Sequence, residues 1–234
     1  MDQSLFPLIN QQWTSPFLDL FMAAVSDSEI WRPLFVVVGI IALFVGGFKT
    51  RAFVICLALS LLIGAFVTSG LKSAVDRRRP KQVQSVRMVQ LQKAHPKFLT
   101  LLKRPTIRFS DSSDRNQSGP SFPSGHVENN SIIAVFCTLF YRRRGWLYWF
   151  VTAAVGYSRI YLGSHWPSDV IATVFLGIGE SLLLLAVFEL IWRIFGPKWM
   201  PQLSARHPTL VGDSNDNAQP KPARPRQRAP QFPA

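Results

Sequence analysis

The distribution of charge constrains this chain most. Residues 33–48 and 52–71 hold no Asp, Glu, Lys or Arg, and the tight basic turn Gly47-Phe48-Lys49-Thr50-Arg51 separates them. About 20 apolar residues in helical form cross a bilayer. Three further blocks, 124–141, 145–163 and 167–195, repeat the pattern, with Arg142-Arg143-Arg144 closing the first of them. The expectation is an all-α fold: a polytopic membrane helical bundle with five transmembrane helices. Residues 1–29 mix apolar groups with Asp2, Asp19, Asp27 and Glu29, and Pro7 and Pro16 interrupt them. They read as short amphipathic helices lying in the interface, with a sixth span as the alternative.

Composition supports a membrane chain over a soluble one. Hydrophobic residues make up 48%, yet 26 Lys and Arg stand against 13 Asp and Glu. A nucleic-acid binder would carry such an excess on a folded soluble surface. Here the charges lie between apolar blocks, where they meet anionic lipid or phosphate, so nucleic acid is not an expected partner. Residues 76–123 hold eleven Lys or Arg against three Asp and read as a long extramembrane loop. Within it, 86–91 and 98–102 suit short helical or extended pieces, and 110–121 reads as irregular. Residues 204–234 contain six Pro and five basic residues with little to bury, which predicts a disordered tail after a domain spanning 1–203. Cys56 and Cys137 fall inside apolar runs and are expected as buried free thiols. No removable signal peptide is expected at the N-terminus.

Three polar clusters interrupt the apolar pattern at span ends. They are Lys72-Ser73-Ala74-Val75-Asp76-Arg77-Arg78-Arg79-Pro80, then Pro123-Ser124-Gly125-His126, then Ser158-Arg159 with His165 and Asp169. Counting crossings puts all three on one face of the membrane. Lys72, Arg79 and Arg159 suit phosphoryl oxygens. Ser124 and Gly125 open a helix, so their amides are expected to meet an anion. His165 is the expected nucleophile toward phosphorus, with Asp169 orienting its ring. His126 is the expected acid and base for the leaving group and for water. No acidic cluster suited to Mg²⁺ accompanies these residues, so no metal and no other cofactor is expected.

Lys72-x6-Arg79-Pro80, Pro123-Ser124-Gly125-His126 and Ser158-Arg159-x5-His165-x3-Asp169 together resemble the three-part signature of the type 2 phosphatidic acid phosphatase (PAP2) superfamily. Every signature position matches, in order, over about residues 72–169. The resemblance implies a helical bundle, a phosphohistidine mechanism without metal, and lipid phosphates or diphosphates as substrates. It implies the same roles for the eight residues named above. One departure is the count of five spans where six is common among membrane members. A phosphotransferase using the same phosphohistidine, or a non-catalytic lipid-binding or transport protein, are the alternatives.

Other residues have plainer readings. Arg77 and Arg78 fit snorkelling anchors. His95 and His207 fit ordinary polar positions. Trp146, Trp149, Trp166, Trp192 and Trp199 fit an aromatic belt, with Trp166 also able to wall the pocket. Glu180, near the middle of its span, fits pairing or protonation better than catalysis. Lys49, Arg51, Arg142 to Arg144 and the basic tail mark one face as cytoplasmic. That places the site on the periplasmic or extracellular side of a bacterial inner membrane.

Overall fold

The computed structural model describes residues 1–94, 97–116 and 119–212 of the 234-residue chain. His95 and residues 213–234 of the expected tail lie outside the described residues. The chain opens with helix α1 (Asp2–Pro7), a π-helical turn (Leu8–Gln12) and α2 (Pro16–Ser26). Two long apolar helices follow, α3 (Ser28–Val45) and α4 (Phe48–Val75). The basic loop carries α5 (Pro80–Val83), strand β1 (Arg87–Gln90), a 3₁₀ turn (Lys97–Leu102), β2 (Thr106–Phe109) and α6 (Ser112–Asn116). Then come α7 (Gly125–Gly145), α8 (Tyr148–Tyr161), α9 (Pro167–Trp199) and α10 (Pro201–Arg206).

Local chemistry sets the helix ends that matter. Ser15 caps α2, its hydroxyl accepting from Leu18 N at 3.2 Å, with Pro16 at the first helical position. Asp27 caps α3 by accepting from Glu29 N at 2.9 Å. Asp76 ends α4 in a left-handed conformation (φ 43°) and donates its amide to Lys72 O at 3.1 Å. That turn swings the chain out of the bundle just after Lys72.

Helix α7 sits against α4, α8 and α9 and is the inner helix of the bundle. Among the described residues, α3, α4 and α9 are long and apolar enough to cross a membrane. The other two expected spans do not meet that measure. Helix α8 has 14 residues, about 21 Å at 1.5 Å per residue, short of a core about 30 Å thick. Helix α7 has 21 residues but carries Glu128, Asn129 and Asn130 in its first turns. Its neighbours wrap it, so it does not need an apolar exterior. Ile132, Phe136 and Phe140 of α7 pack with Ala52, Cys56 and Leu185 at the end away from the polar clusters. Cys56 and Cys137 are both free.

The N-terminal segment has two faces. Trp13, Phe17 and Phe21 are exposed, as an interfacial helix requires, while Phe6, Ile9 and Met22 pack into the core under the polar clusters. Its polar residues are structural. Asn10 donates to Arg87 O and to Tyr161 O, both at 2.8 Å, and accepts from Arg87 N at 3.0 Å. Asp19 accepts from Tyr161 Oη at 2.6 Å and from Arg87 Nη2 at 2.7 Å. Charges that look like interruptions of a span are therefore buried partners joining α2, β1 and α8.

Within the loop, β1 and β2 pair antiparallel with Arg87 opposite Phe109, so the helical fold carries one two-stranded hairpin. The 110–121 stretch, expected as irregular, includes the short helix α6. The first residues of the expected tail are structured. Helix α10 covers 204–206, the His207 ring stacks on Phe48 at 4.3 Å, and Leu210 is buried. Trp192 donates to His207 O at 2.8 Å, so this partly buried indole also ties the segment after α10 to α9. Glu180 of α9 lies against Glu128 of α7, and all four carboxylate oxygens are buried without a donor among the described residues. The mid-span acid is thus half of a carboxyl pair.

Asp19→Ala should cost about 3 kcal/mol of stability, because it leaves the Arg87 guanidinium and the Tyr161 hydroxyl buried without their acceptor. A thermal melt in detergent should show a lowered Tm, with Asp19→Asn falling between the two.

Candidate active site

His165 lies in the short turn between α8 and α9 and is 3% exposed. The turn is built on Gly163, whose φ of +71° favours glycine, and a Cβ there would come within 2.9 Å of the Val86 side chain. The amides of Ser164 and His165 both close onto Arg159 O, at 3.0 and 3.2 Å. The imidazole Nδ1 lies 2.6 Å from the carbonyl oxygen of Ser121. A carbonyl only accepts, so Nδ1 carries the proton and Nε2 keeps its lone pair.

This arrangement corrects the expected contact between Asp169 and the ring. Asp169 is fully buried at the first turn of α9. Its Oδ1 takes Arg77 Nη1 at 2.5 Å, and its Oδ2 takes Ser121 Oγ at 2.5 Å and Trp166 N at 3.1 Å. The carboxylate therefore reaches His165 through Ser121, whose hydroxyl it holds and whose carbonyl faces Nδ1. The physical reason is the turn at Pro167, which lets Asp169 cap its own helix through Trp166 N.

The anchoring continues outward. Arg77 Nη2 pairs with Asp2 Oδ2 at 2.6 Å, and Asp2 accepts from Ser168 N at 2.9 Å and Ser168 Oγ at 2.5 Å. Arg77 O also accepts from Ser121 N at 2.6 Å. Arg77 is thus a bridge between two carboxylates, not the anchor its sequence position suggests. Trp166 walls the site from below, donating Nε1 to Arg78 O at 2.9 Å with its ring 5.2 Å from Phe6.

The other predicted residues gather around the histidine. Arg79 donates Nε to Gly119 O at 2.8 Å and Nη1 to Ser164 O at 3.3 Å, which aims its guanidinium at the turn carrying His165. Arg159 donates Nη1 to Ser26 Oγ, while its Nε is buried without a partner among the described residues. Lys72 closes the last turn of α4. Ser124 caps α7, and Gly125 and His126 form its first turn. The amide of Ser124 is already donated to Thr173 Oγ1 at 3.1 Å, whereas its hydroxyl is buried with no partner among the described residues. Ser124 thus offers an anion its hydroxyl rather than its amide. Gly125 packs against Thr68 on α4, where a Cβ would sit 3.8 Å from that side chain.

The same three cations reach both histidines. The charges of Lys72, Arg79 and Arg159 all act on both His126 and His165. Burial, followed by Arg159 and Arg79, holds the His165 imidazole well below its ordinary pKa. A neutral ring with a free Nε2 can attack an electrophilic phosphorus whose oxygens are held by three cations and two orphaned donors. Among the described residues, no three His, Cys, Asp or Glu group as metal ligands.

Sequence reasoning missed Ser121, Arg77, Asp2 and Thr173. Ser121 stands two residues before Pro123-Ser124-Gly125-His126 and acts partly through its carbonyl, which side-chain chemistry does not reveal. Arg77 is one of three adjacent arginines, and only the turn at Asp76 decides which of them points inward.

Known proteins resemble this chain in sequence and in fold. The model described as "PAP2 superfamily" matches residues 53–193. A lipid A 4'-phosphatase of Bacteroides thetaiotaomicron is 28% identical over 170 residues, 70% of this chain and 66% of that relative. An undecaprenyl-diphosphatase of Sulfolobus acidocaldarius is 30% identical over 186 residues, covering 78% of this chain and 76% of its own. The crystal structure of Aquifex aeolicus LpxE superposes with a TM-score of 0.55 at 23% identity, covering 79% of this chain and 94% of that one.

Arg77→Ala should lower kcat toward any phosphoester by about tenfold or more while KM stays within about twofold, because it loosens the ring without touching substrate. Steady-state kinetics separates the two parameters. Arg77→Lys, which keeps the charge but not the two-pronged bridge, should recover only part of the loss.

Proposed function

The chain belongs to the PAP2 superfamily, and from that membership and the site we propose an integral membrane phosphatase that hydrolyses a lipid phosphate or diphosphate. The observation that carries the reading is the pair His165 and His126 under the shared charge of Lys72, Arg79 and Arg159. Those three cations, the Ser124 hydroxyl and the Gly125 amide bind the phosphoryl oxygens and offset the charge that develops in transfer.

Nε2 of His165 attacks phosphorus as the bond to the leaving oxygen breaks. The bound phosphate offsets the three cations that otherwise disfavour a charged His126, so His126 takes up a proton as substrate binds and gives it to the leaving oxygen. The phosphoryl group now rests on His165, and the positive ring is held by Nδ1–H donating to Ser121 O. Ser121 is itself fixed by the Asp169 carboxylate. His126, now neutral, takes a proton from water, and the resulting hydroxide attacks phosphorus. Inorganic phosphate leaves and both histidines return to their starting state. The cations do the work a divalent metal does in other phosphatases. The site opens on the face opposite Lys49, Arg51 and Arg142 to Arg144, which the positive-inside rule assigns to the periplasmic or extracellular side.

Purified protein in detergent with excess chelator should release phosphate from a panel of lipid phosphates, and His165→Ala should abolish that release without lowering Tm. Strict Mg²⁺ dependence, or full activity in His165→Ala, would contradict the reading. The pH profile gives a second check. The nucleophile works as the neutral base, and burial with Arg159 and Arg79 lowers its pKa. Protonation of His165 should therefore cut kcat/KM only below about pH 6.5, the ordinary histidine value.

A further inference from the structure

One face of α4 runs from the phosphate cage into the bundle. Lys72, Thr68 and Gly64 lie on it at intervals of four residues, about 6 Å apart along the axis. That face meets the start of α7. A Cβ on Gly125 would sit 3.8 Å from the Thr68 side chain, and one on Gly64 would come within 3.0 Å of Ile132. Glu128 stands three residues after Gly125 and four before Ile132, which puts it on the α7 face toward α4. Glu180 reaches the same seam from α9. Its Oε1 and Oε2 would lie 3.2 and 3.5 Å from a Cβ on Gly64, so the bare backbone there makes room for its carboxyl. Level with Gly64, Glu180 lies about two turns from Lys72, and Glu128 lies between them.

Glu128 is 1% exposed, and the oxygens of both carboxyls lack any other donor among the described residues. Two carboxyl groups set against each other in this way do not both ionise. They hold one proton between them and carry one negative charge. The cation that shares the seam is Lys72. Its ammonium makes no hydrogen bond and no ion pair among the described residues. The charge of Glu128 acts on it, and so do the like charges of Arg79 and Arg159. Glu128 therefore reaches Lys72 through the low-dielectric interior without closing a salt bridge.

We propose that Glu128 is a positioning residue for the phosphate cage: its carboxylate offsets part of the Lys72 charge from inside the bundle and so limits how tightly the cage holds phosphate. Glu128 touches no phosphate and acts through Lys72. This rests on the cage that the hydrolase reading uses. Three unopposed cations hold the inorganic phosphate product as firmly as the substrate, and slow release then limits turnover. A buried counter-charge behind one of them weakens anion binding in the ground state and speeds release. Glu180 keeps that charge on α7 by sharing the proton.

Inorganic phosphate titrated against the thermal melt of the purified protein in detergent reads cage affinity without turnover. Glu128→Gln keeps the shape and moves the charge to Glu180, further from Lys72. It should tighten phosphate by about fivefold. In turnover of phosphatidic acid it should lower KM and kcat together. Glu128→Met, of similar volume and uncharged, should tighten phosphate as well. Glu180→Gln leaves the charge on Glu128 and should keep the phosphate Kd within about twofold of wild type. With Lys72→Gln already in place, Glu128→Gln should change Kd by less than about twofold. Unchanged affinity in Glu128→Gln and Glu128→Met, whatever their Tm, would overturn the assignment. So would equal tightening in Glu180→Gln, the full effect surviving Lys72→Gln, or a wild type whose Tm phosphate does not raise. Phosphate binding with the expected pattern but no release from any lipid phosphate would instead remove the hydrolase reading and leave the counter-charge standing.

Discussion

Asp169 is the constraint on which the site depends. A carboxylate taken fully out of water is costly unless every oxygen finds a donor. Here the guanidinium of Arg77, the hydroxyl of Ser121 and the amide of Trp166 supply them. Each donor belongs to a different piece of chain: the turn after α4, the segment before α7, and the start of α9. Satisfying one buried charge therefore brings the three polar clusters into one place. Arg77 extends the network to Asp2, which ties α1 to the first turn of α9 through Ser168. The position of His165 thus depends on segments far apart in the chain that meet at this one network.

The same economy governs the bundle. Helix α7 carries Ser124, Gly125 and His126 at its start and is enclosed by α4, α8 and α9. Enclosure lets it hold polar residues that a lipid-facing helix would not tolerate. Small residues permit the close approach. A Cβ on Gly177 would come within 2.7 Å of Ser131 on α7. The lipid-facing work falls to α3, α4 and α9, whose apolar windows are largely exposed.

Much of this was legible in the sequence. The alternation of apolar and basic blocks gave the helical membrane bundle, because hydrocarbon admits little else. The spacing of His126, Arg159, His165 and Asp169 marked the candidate site, because each stands at a span end where polar groups are otherwise unexpected. What stayed hidden has a common cause. Asp2, Asn10 and Asp19 look like interruptions of a hydrophobic segment, and only tertiary contact with Ser168, Tyr161 and Arg87 reveals them as buried partners. Ser121 acts on His165 through its backbone, which no residue pattern encodes. Glu180 gained its neighbour Glu128 from helix packing. The span count was read from apolar length, and α7 and α8 escape that measure because protein, not lipid, surrounds α7 and because α8 is short.

The proposed mechanism requires Nε2 of His165 to receive the phosphoryl group. Turnover of a lipid phosphate quenched in alkali, where a phosphoramidate survives, followed by mass-spectrometric mapping of the modified residue, tests it directly. The account predicts a phosphoryl group on His165, absent when His165→Ala is used. A phosphoryl group on Ser124, whose hydroxyl is also buried and has no partner among the described residues, or on no residue during active turnover, would contradict it.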